Sequence, residues 1–180
     1  MIIDNKNKFI FVHIPKNAGT STANLLSRDL SPADLNLNIV PREQDSRGYI
    51  EYIQRQFGLV KHSTYREITS AFPDGRLAQY KFIAISRNPY SRAKSIYSFT
   101  LRADAKHRPD SPRYQHIKDM SFLEFLKSEY MQEKRLLASR SQIDFLIDQT
   151  GKLEKRITVF KLEDISRDSS ALYKFAYGSS

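Results

Sequence analysis

Short apolar runs alternate with amphipathic segments along this chain. One run, Phe9–Ile14, is rich in aromatic and β-branched residues, and a second begins at Phe82 and ends at Arg87. A third follows from Ile157. Runs of this length and composition indicate buried strands, and residues at helical spacing follow the first two. The alternation predicts an α/β fold with a mainly parallel sheet flanked by helices.

Capping signals indicate where several of the helices begin. Asn88 can cap a helix in which Pro89 takes the favoured first position. Ser121 and Glu124 have the spacing of a capping box before another apolar helix face. These signals predict helices directly after the second strand and in the last third of the chain.

The junction after the first strand carries the strongest chemical signal. The apolar run breaks at Pro15, passes through Lys16 to Gly19, and reaches the hydroxyls of Thr20 and Ser21. A strand, a tight loop and a new helix would bring backbone N–H groups, an ammonium group and two hydroxyls together. Gly19 has no Cβ to obstruct a close approach. The pattern predicts a binding site for a phosphate-like anion.

The order of residues in this loop differs from that of the nucleotide-triphosphate P-loop. In that motif the lysine follows the last glycine, whereas Lys16 precedes Gly19. The pattern instead resembles the H-I-P-K-T-G-G-T-S loop of carbohydrate-type sulfotransferases, with Asn17 and Ala18 as the departures. In that family the loop holds the 5′-phosphosulfate of 3′-phosphoadenosine 5′-phosphosulfate (PAPS). Alanine fits at position 18 unless the backbone there needs a positive φ.

A second motif, R-N-P-Y-S-R-A-K-S-I-Y, begins at Arg87 and resembles the family's other donor-binding element. The resemblance implies that Arg87 and Ser95 bind the 3′-phosphate of PAPS, with Arg92 in support. A later segment, Arg140–Leu146, resembles the family's Q-x-x-aromatic-L element, which implies that Gln142 contacts the nucleotide. The resemblance further implies a P-loop NTPase-like sulfotransferase fold, with residues 1–180 as a single domain. Relatives usually continue with another helical segment, so we expect a C-terminally short member.

His62 is the candidate general base. It precedes Ser63 and Thr64, either of which could cap a helix, and we expect it at a strand-to-helix turn where ligand-facing groups collect. Histidine has the pKa that proton removal from a hydroxyl near neutral pH requires. A histidine between the two donor motifs is the usual base in the family resembled. The alternative is a histidine that only bonds to backbone, and His13 is interpreted as packing or loop support.

Composition limits the other classes of function. The chain has 180 residues, no cysteine and a formal net charge of +9. No apolar stretch reaches the length of a membrane span, and no signal-peptide pattern is present, so we expect a cytoplasmic protein. The charge suits an anionic donor, whereas the scattered Lys and Arg and the lack of a nucleic-acid-binding motif argue against nucleic acid.

The resemblance implies transfer of a sulfuryl group from PAPS to a hydroxyl or amine, with a carbohydrate as the expected acceptor. Lys16 would neutralise charge on the leaving nucleotide while Gly19, Thr20 and Ser21 hold the phosphosulfate, and no metal is required. Two alternatives stay open: an inactive protein that binds PAPS or its product 3′-phosphoadenosine 5′-phosphate (PAP), and a P-loop nucleotide kinase. The sequence leaves the acceptor's identity and the oligomeric state undetermined.

Overall fold

A computed structural model describes residues 1–38, 44–134 and 136–178; the rest of the predicted domain lies outside the described residues. The strands in this part of the chain are β1 (Ile2–Asp4), β2 (Phe9–Val12), β3 (Leu35–Asn36), β4 (Lys81–Ser86) and β5 (Ile157–Lys161). The α-helices are α1 (Gly19–Leu26), α2 (Gln44–Phe57), α3 (Tyr65–Ala71), α4 (Pro89–His107), α5 (Pro112–Ile117), α6 (Phe122–Lys127), α7 (Glu129–Gln132), α8 (Leu162–Ile165) and α9 (Ser170–Tyr177).

The strands of the described residues form one sheet in the order β3-β1-β2-β4-β5. β2, β4 and β5 are parallel, so their carboxyl ends lie at one edge of the sheet. The three strands predicted from apolar runs are therefore confirmed. β1 pairs antiparallel with both β2 and β3, and this antiparallel side was not predicted from the sequence.

Helices cover both faces of the sheet, as predicted. Alternating residues of a strand point to opposite faces, and β2 follows this rule. Ile10 and Val12 pack in a core that includes Ile53 of α2 and Ile68 of α3. The other face of β2 packs against α1 and α9. A strand covered on both sides is apolar throughout, which explains the uninterrupted run in the sequence.

The chain divides into two compact units. The sheet unit comprises Met1–Ser86 and Gln142–Ser180, and the helical unit comprises Arg87–Ser141. The helical unit has its own core, in which Ile96, Ile117 and Phe125 are buried. That residues 1–180 act as one domain stays a prediction.

The predicted caps form. Asn88 Oδ1 accepts hydrogen bonds from the backbone N–H groups of Tyr90 and Ser91, and Pro89 opens α4. Ser121 forms the predicted capping box at α6. At α3 the cap is Thr64, in a capping box with Glu67.

An ion pair between a buried carboxylate and a half-buried guanidinium joins α4 to α5 within the helical unit. The Asp104 carboxylate is fully buried and accepts from Arg113 Nε at 2.5 Å and from a terminal guanidinium nitrogen of the same residue. These bonds lower the pKa of Asp104. Of the helices described, none combines the length and apolar character that a membrane crossing needs.

Candidate functional site

The loop between β2 and α1 has an unusual backbone. Lys16 and Ala18 both adopt positive φ, at 66° and 56°. Left-handed residues inside such a loop turn successive N–H groups toward a common side, as in anion-binding nests. Ala18 thus occupies a position that does require a positive φ, the one condition under which alanine is less suitable than glycine.

The amino-terminal end of α1 is open to a ligand. Ala18 supplies no side-chain hydrogen bond to the helix, and the first turn carries no acidic residue. Thr20 and Ser21 are exposed, whereas Gly19 is buried and Lys16 half-buried. Uncapped N–H groups and the helix dipole favour an anion at this end, and the hydroxyls add donors.

Asn17 anchors the loop to the rest of the sheet unit. Its side chain is almost completely buried. Nδ2 donates to the carbonyl oxygen of Ile85 at 2.6 Å and to Gln142 Oε1 at 2.6 Å. Within the described residues, Asn17 Oδ1 is buried without a hydrogen-bond partner. The Asn17 side chain therefore fixes the loop to the end of β4.

Gly19 is required by a neighbouring side chain. Its φ is not positive, but a Cβ added there would lie 1.9 Å from both Cδ2 and Nε2 of His13. Atoms that are not bonded cannot approach so closely. The glycine therefore allows the His13 ring to lie directly against the start of α1.

His62 lies next to His13, in a turn between α2 and α3. The prediction of a strand before this turn is wrong, because the element that precedes the turn is helix α2. His62 Nδ1 donates to the carbonyl oxygen of His13 at 2.8 Å, and the two rings meet edge to face with centroids 4.5 Å apart. Burial lowers the pKa of His62, and the charges of the Met1 amino group and Lys61 act in the same direction.

The hydrogen bond to His13 fixes the tautomer of His62. A carbonyl oxygen only accepts, so the proton of the neutral imidazole is on Nδ1 and Nε2 has the free lone pair. A half-buried neutral imidazole with an available Nε2 can accept a proton from a hydroxyl.

A cavity of about 340 Å³ opens beside the loop, within the sheet unit. This volume lies in the range of small-molecule pockets. Its lining residues are Ala18, Ser21, Thr22, Leu25, Leu162, Ile165, Ser166, Ser169 and Leu172. The lining is predominantly apolar and includes a few hydroxyl groups.

The second motif lies in the helical unit. Arg87 and Ser95 are both half-buried, one immediately after β4 along the chain and the other in the second turn of α4. Arg92 is 6% exposed, and its guanidinium donates to the carbonyl oxygen of Arg140 at 3.0 Å. This contact gives Arg92 a structural role within the helical unit.

The polar groups around the two histidines were not predicted from the sequence. Asn38 Oδ1 accepts from His13 Nδ1 and from the Met1 amino group, the latter at 3.1 Å. The Met1 amino group also donates to the carbonyl oxygen of Lys61 at 2.9 Å. Asn38 follows no motif, and no pattern in the sequence relates it to a histidine 25 residues earlier.

Comparison with known proteins gives one match. A sequence model described as "Sulfotransferase family" matches residues 1–176. No curated protein and no solved structure matches the chain.

Proposed function

The chain belongs to the sulfotransferase family, and from this premise we propose that it transfers a sulfuryl group from PAPS to a hydroxyl or amine of a carbohydrate. Sulfuryl transfer in general follows from the family. The donor, the acceptor class and the residues that act are our proposal. The observation that carries it is the open, uncapped start of α1 behind a loop with Lys16 and two left-handed residues.

The loop residues fit a phosphosulfate. The N–H groups of Gly19, Thr20 and Ser21 begin α1, and Ala18 and Asn17 shape the loop before it. The first turn of α1 carries no carboxylate that would repel a bound anion. Lys16 would neutralise the charge that develops on the leaving group, where a fixed cation stabilises the transition state most.

The proposed donor-binding residues divide by the group they contact. Lys16 to Ser21 take the phosphosulfate, and Arg87 and Ser95 take the 3′-phosphate, as the motif resemblance implies. An arginine suits this second role because its planar guanidinium can form two parallel bonds to one phosphate. Arg92 supports this element through its bond to Arg140. The cavity beside the loop has the volume and the apolar lining to accommodate a base.

His62 is proposed as the general base. PAPS, when bound, supplies the sulfuryl group on a good leaving group. The bond between the acceptor oxygen and sulfur forms as the bond between sulfur and the donor's bridging oxygen breaks. The acceptor's proton passes to His62 Nε2, the nitrogen that the tautomer leaves free. A lowered pKa keeps His62 unprotonated and ready to accept at neutral pH.

The test of donor binding is calorimetric titration with PAP and, separately, with ATP plus magnesium. We expect PAP to bind at micromolar concentration without metal and binding to be lost in Arg87→Ala. Arg102→Ala is the matched control, because Arg102 is an exposed arginine of α4 and its removal changes the net charge equally. Binding of ATP in preference to PAP would favour the kinase alternative and refute the proposal.

Transfer is tested separately with labelled PAPS and a panel of glycans, with His62→Ala as the variant. We expect labelled product from the wild type and a fall of about 10²–10⁴-fold in His62→Ala, the range for a general base. PAP binding without transfer to any acceptor would instead support an inactive nucleotide-binding protein.

A further inference from the structure

The buried imidazole of His13 contacts both proposed parts of the reaction centre in the sheet unit, yet the mechanism above gives it no chemical step. His13 directly follows β2 and is 3% exposed. On one side its ring lies against Gly19 so closely that no Cβ fits between them. On another side the ring meets that of His62 edge to face. Phe11 stacks on it at 5.8 Å between ring centroids.

Asn38 holds the His13 ring in one orientation. Asn38 Nδ2 donates to the Met1 carbonyl oxygen at 2.9 Å and to Asn36 Oδ1 at 3.2 Å, which orients the amide. Its Oδ1 therefore faces His13 Nδ1 and accepts from it. The proton of His13 is thus on Nδ1, and Nε2 points at Gly19 without a proton.

His13 stays neutral in the folded protein. Burial lowers its pKa to about 2, and the positive charge of the Met1 amino group contributes. It therefore exchanges no proton near neutral pH and is unsuited to be a base itself. What it offers is a rigid, uncharged surface of fixed shape.

We propose that His13 is a positioning residue that sets the distance and orientation of His62 relative to the start of α1, where the loop between β2 and α1 ends. The proposal rests on the proposed role of His62 as base. Two sets of contacts carry it: the side chain of His13 contacts both Gly19 and the His62 ring, and the backbone carbonyl oxygen of His13 accepts a hydrogen bond from His62 Nδ1. A displacement of about 1 Å between reacting groups can lower a rate by about 10²-fold.

The test uses nuclear magnetic resonance of the imidazole nitrogens in wild type, His13→Phe and His13→Ala, with the His62 signals assigned from His62→Gln. We expect wild-type His62 to carry its proton on Nδ1. His13→Phe keeps a ring against His62 and should keep that tautomer. His13→Ala keeps the backbone carbonyl but admits water and lets the His62 ring turn away from it. The His62 signals should therefore shift toward those of a mixture of tautomers, with the pKa of His62 closer to its ordinary value.

The kinetic counterpart separates positioning from folding. In His13→Ala we expect kcat to fall about 10²-fold, against at most a few-fold in His13→Phe. If His13→Ala does not fold, His13→Leu replaces it, because leucine fills a similar volume without a ring. The His62 signals and kcat are then measured in His13→Leu. Unchanged His62 tautomer and pKa in a folded variant without the ring would overturn the proposal.

The two proposals fail in different ways. The nitrogen signals of His62 report on His13 whether or not the protein transfers sulfate. Wild-type protein with the expected tautomer but without PAP binding would refute the proposed function alone. Transfer in wild type with His62 indifferent to His13→Ala would refute the positioning role alone.

Discussion

Gly19→Ala is the substitution for which the structure makes the sharpest prediction. The new methyl carbon would lie 1.9 Å from two atoms of the His13 ring. Carbon atoms in contact prefer roughly 3.5–4.0 Å, so the ring or the start of α1 must move by about 1.5 Å. The ring cannot move freely, because Asn38 and His62 contact it from other directions.

The expected cost follows from two opposing effects. Overpacking a buried position costs about 1–3 kcal/mol, and alanine in place of glycine in a helix returns about 0.5–1 kcal/mol. We therefore expect Gly19→Ala to lower the free energy of unfolding by up to about 2.5 kcal/mol, with a central value of about 1 kcal/mol. PAP affinity should fall as well, by about tenfold, because a change of about 1.4 kcal/mol at the loop is sufficient for that.

Urea denaturation measures the first effect, with Gly48→Ala as the control. Gly48 is also a helical glycine, but it is exposed and a Cβ there meets nothing within 4 Å. Gly48→Ala should stabilise by about 0.5–1 kcal/mol. In a His13→Ala background the Gly19→Ala penalty should disappear. A Gly19→Ala protein as stable as Gly48→Ala, or an unchanged penalty without the His13 ring, would refute the reasoning.

Four further predictions concern other features of the chain. Ala18→Gly removes a left-handed strain of about 1–2 kcal/mol and adds a glycine cost of about 0.5–1 kcal/mol, so thermal denaturation should show a net gain of about 0.5–1 kcal/mol. His13 is neutral in the folded protein, whereas in the unfolded chain it takes up a proton below pH 6.5. The free energy of unfolding should therefore fall by about 1.4 kcal/mol per pH unit as the pH drops below that value. Urea denaturation of His13→Phe should lack this contribution. The proposed base His62 must be unprotonated to act, and its pKa is lowered, so kcat/KM should fall with decreasing pH only below the ordinary histidine value. An inflection above pH 6.5 would contradict this. Asp104→Asn breaks the pair between a buried carboxylate and the half-buried Arg113 and should cost about 1–3 kcal/mol by the same denaturation assay, whereas loss of an exposed pair costs under about 1 kcal/mol.

Much of the fold was predictable because its signals are local. A parallel strand covered on both faces needs an apolar run, and a helix start needs a cap within a few residues of the first turn. The strands β2, β4 and β5 and the caps at Asn88 and Ser121 were predicted on this basis, and the structure selects Thr64 from the two cap candidates Ser63 and Thr64. The motif around Lys16 was visible for the same reason.

The antiparallel side of the sheet was not predictable in this way. β1 and β3 are only three and two residues long, too short for a periodic pattern. Their place in the sheet depends on pairing with β2, which acts at a distance along the chain.

What the sequence determined by itself was the identity of the chemical groups: a lysine, hydroxyls and a glycine at the end of one strand, an arginine at the end of the next, and a histidine between them. Only the tertiary structure decided how the groups in the sheet unit are held. Asn17 reaches Gln142 across 125 residues, and Asn38 orients His13 across 25. The need for glycine at position 19 comes from the His13 ring and not from the backbone conformation. Such contacts join side chains far apart in the chain, and no local pattern encodes which side chain will fill the space beside another.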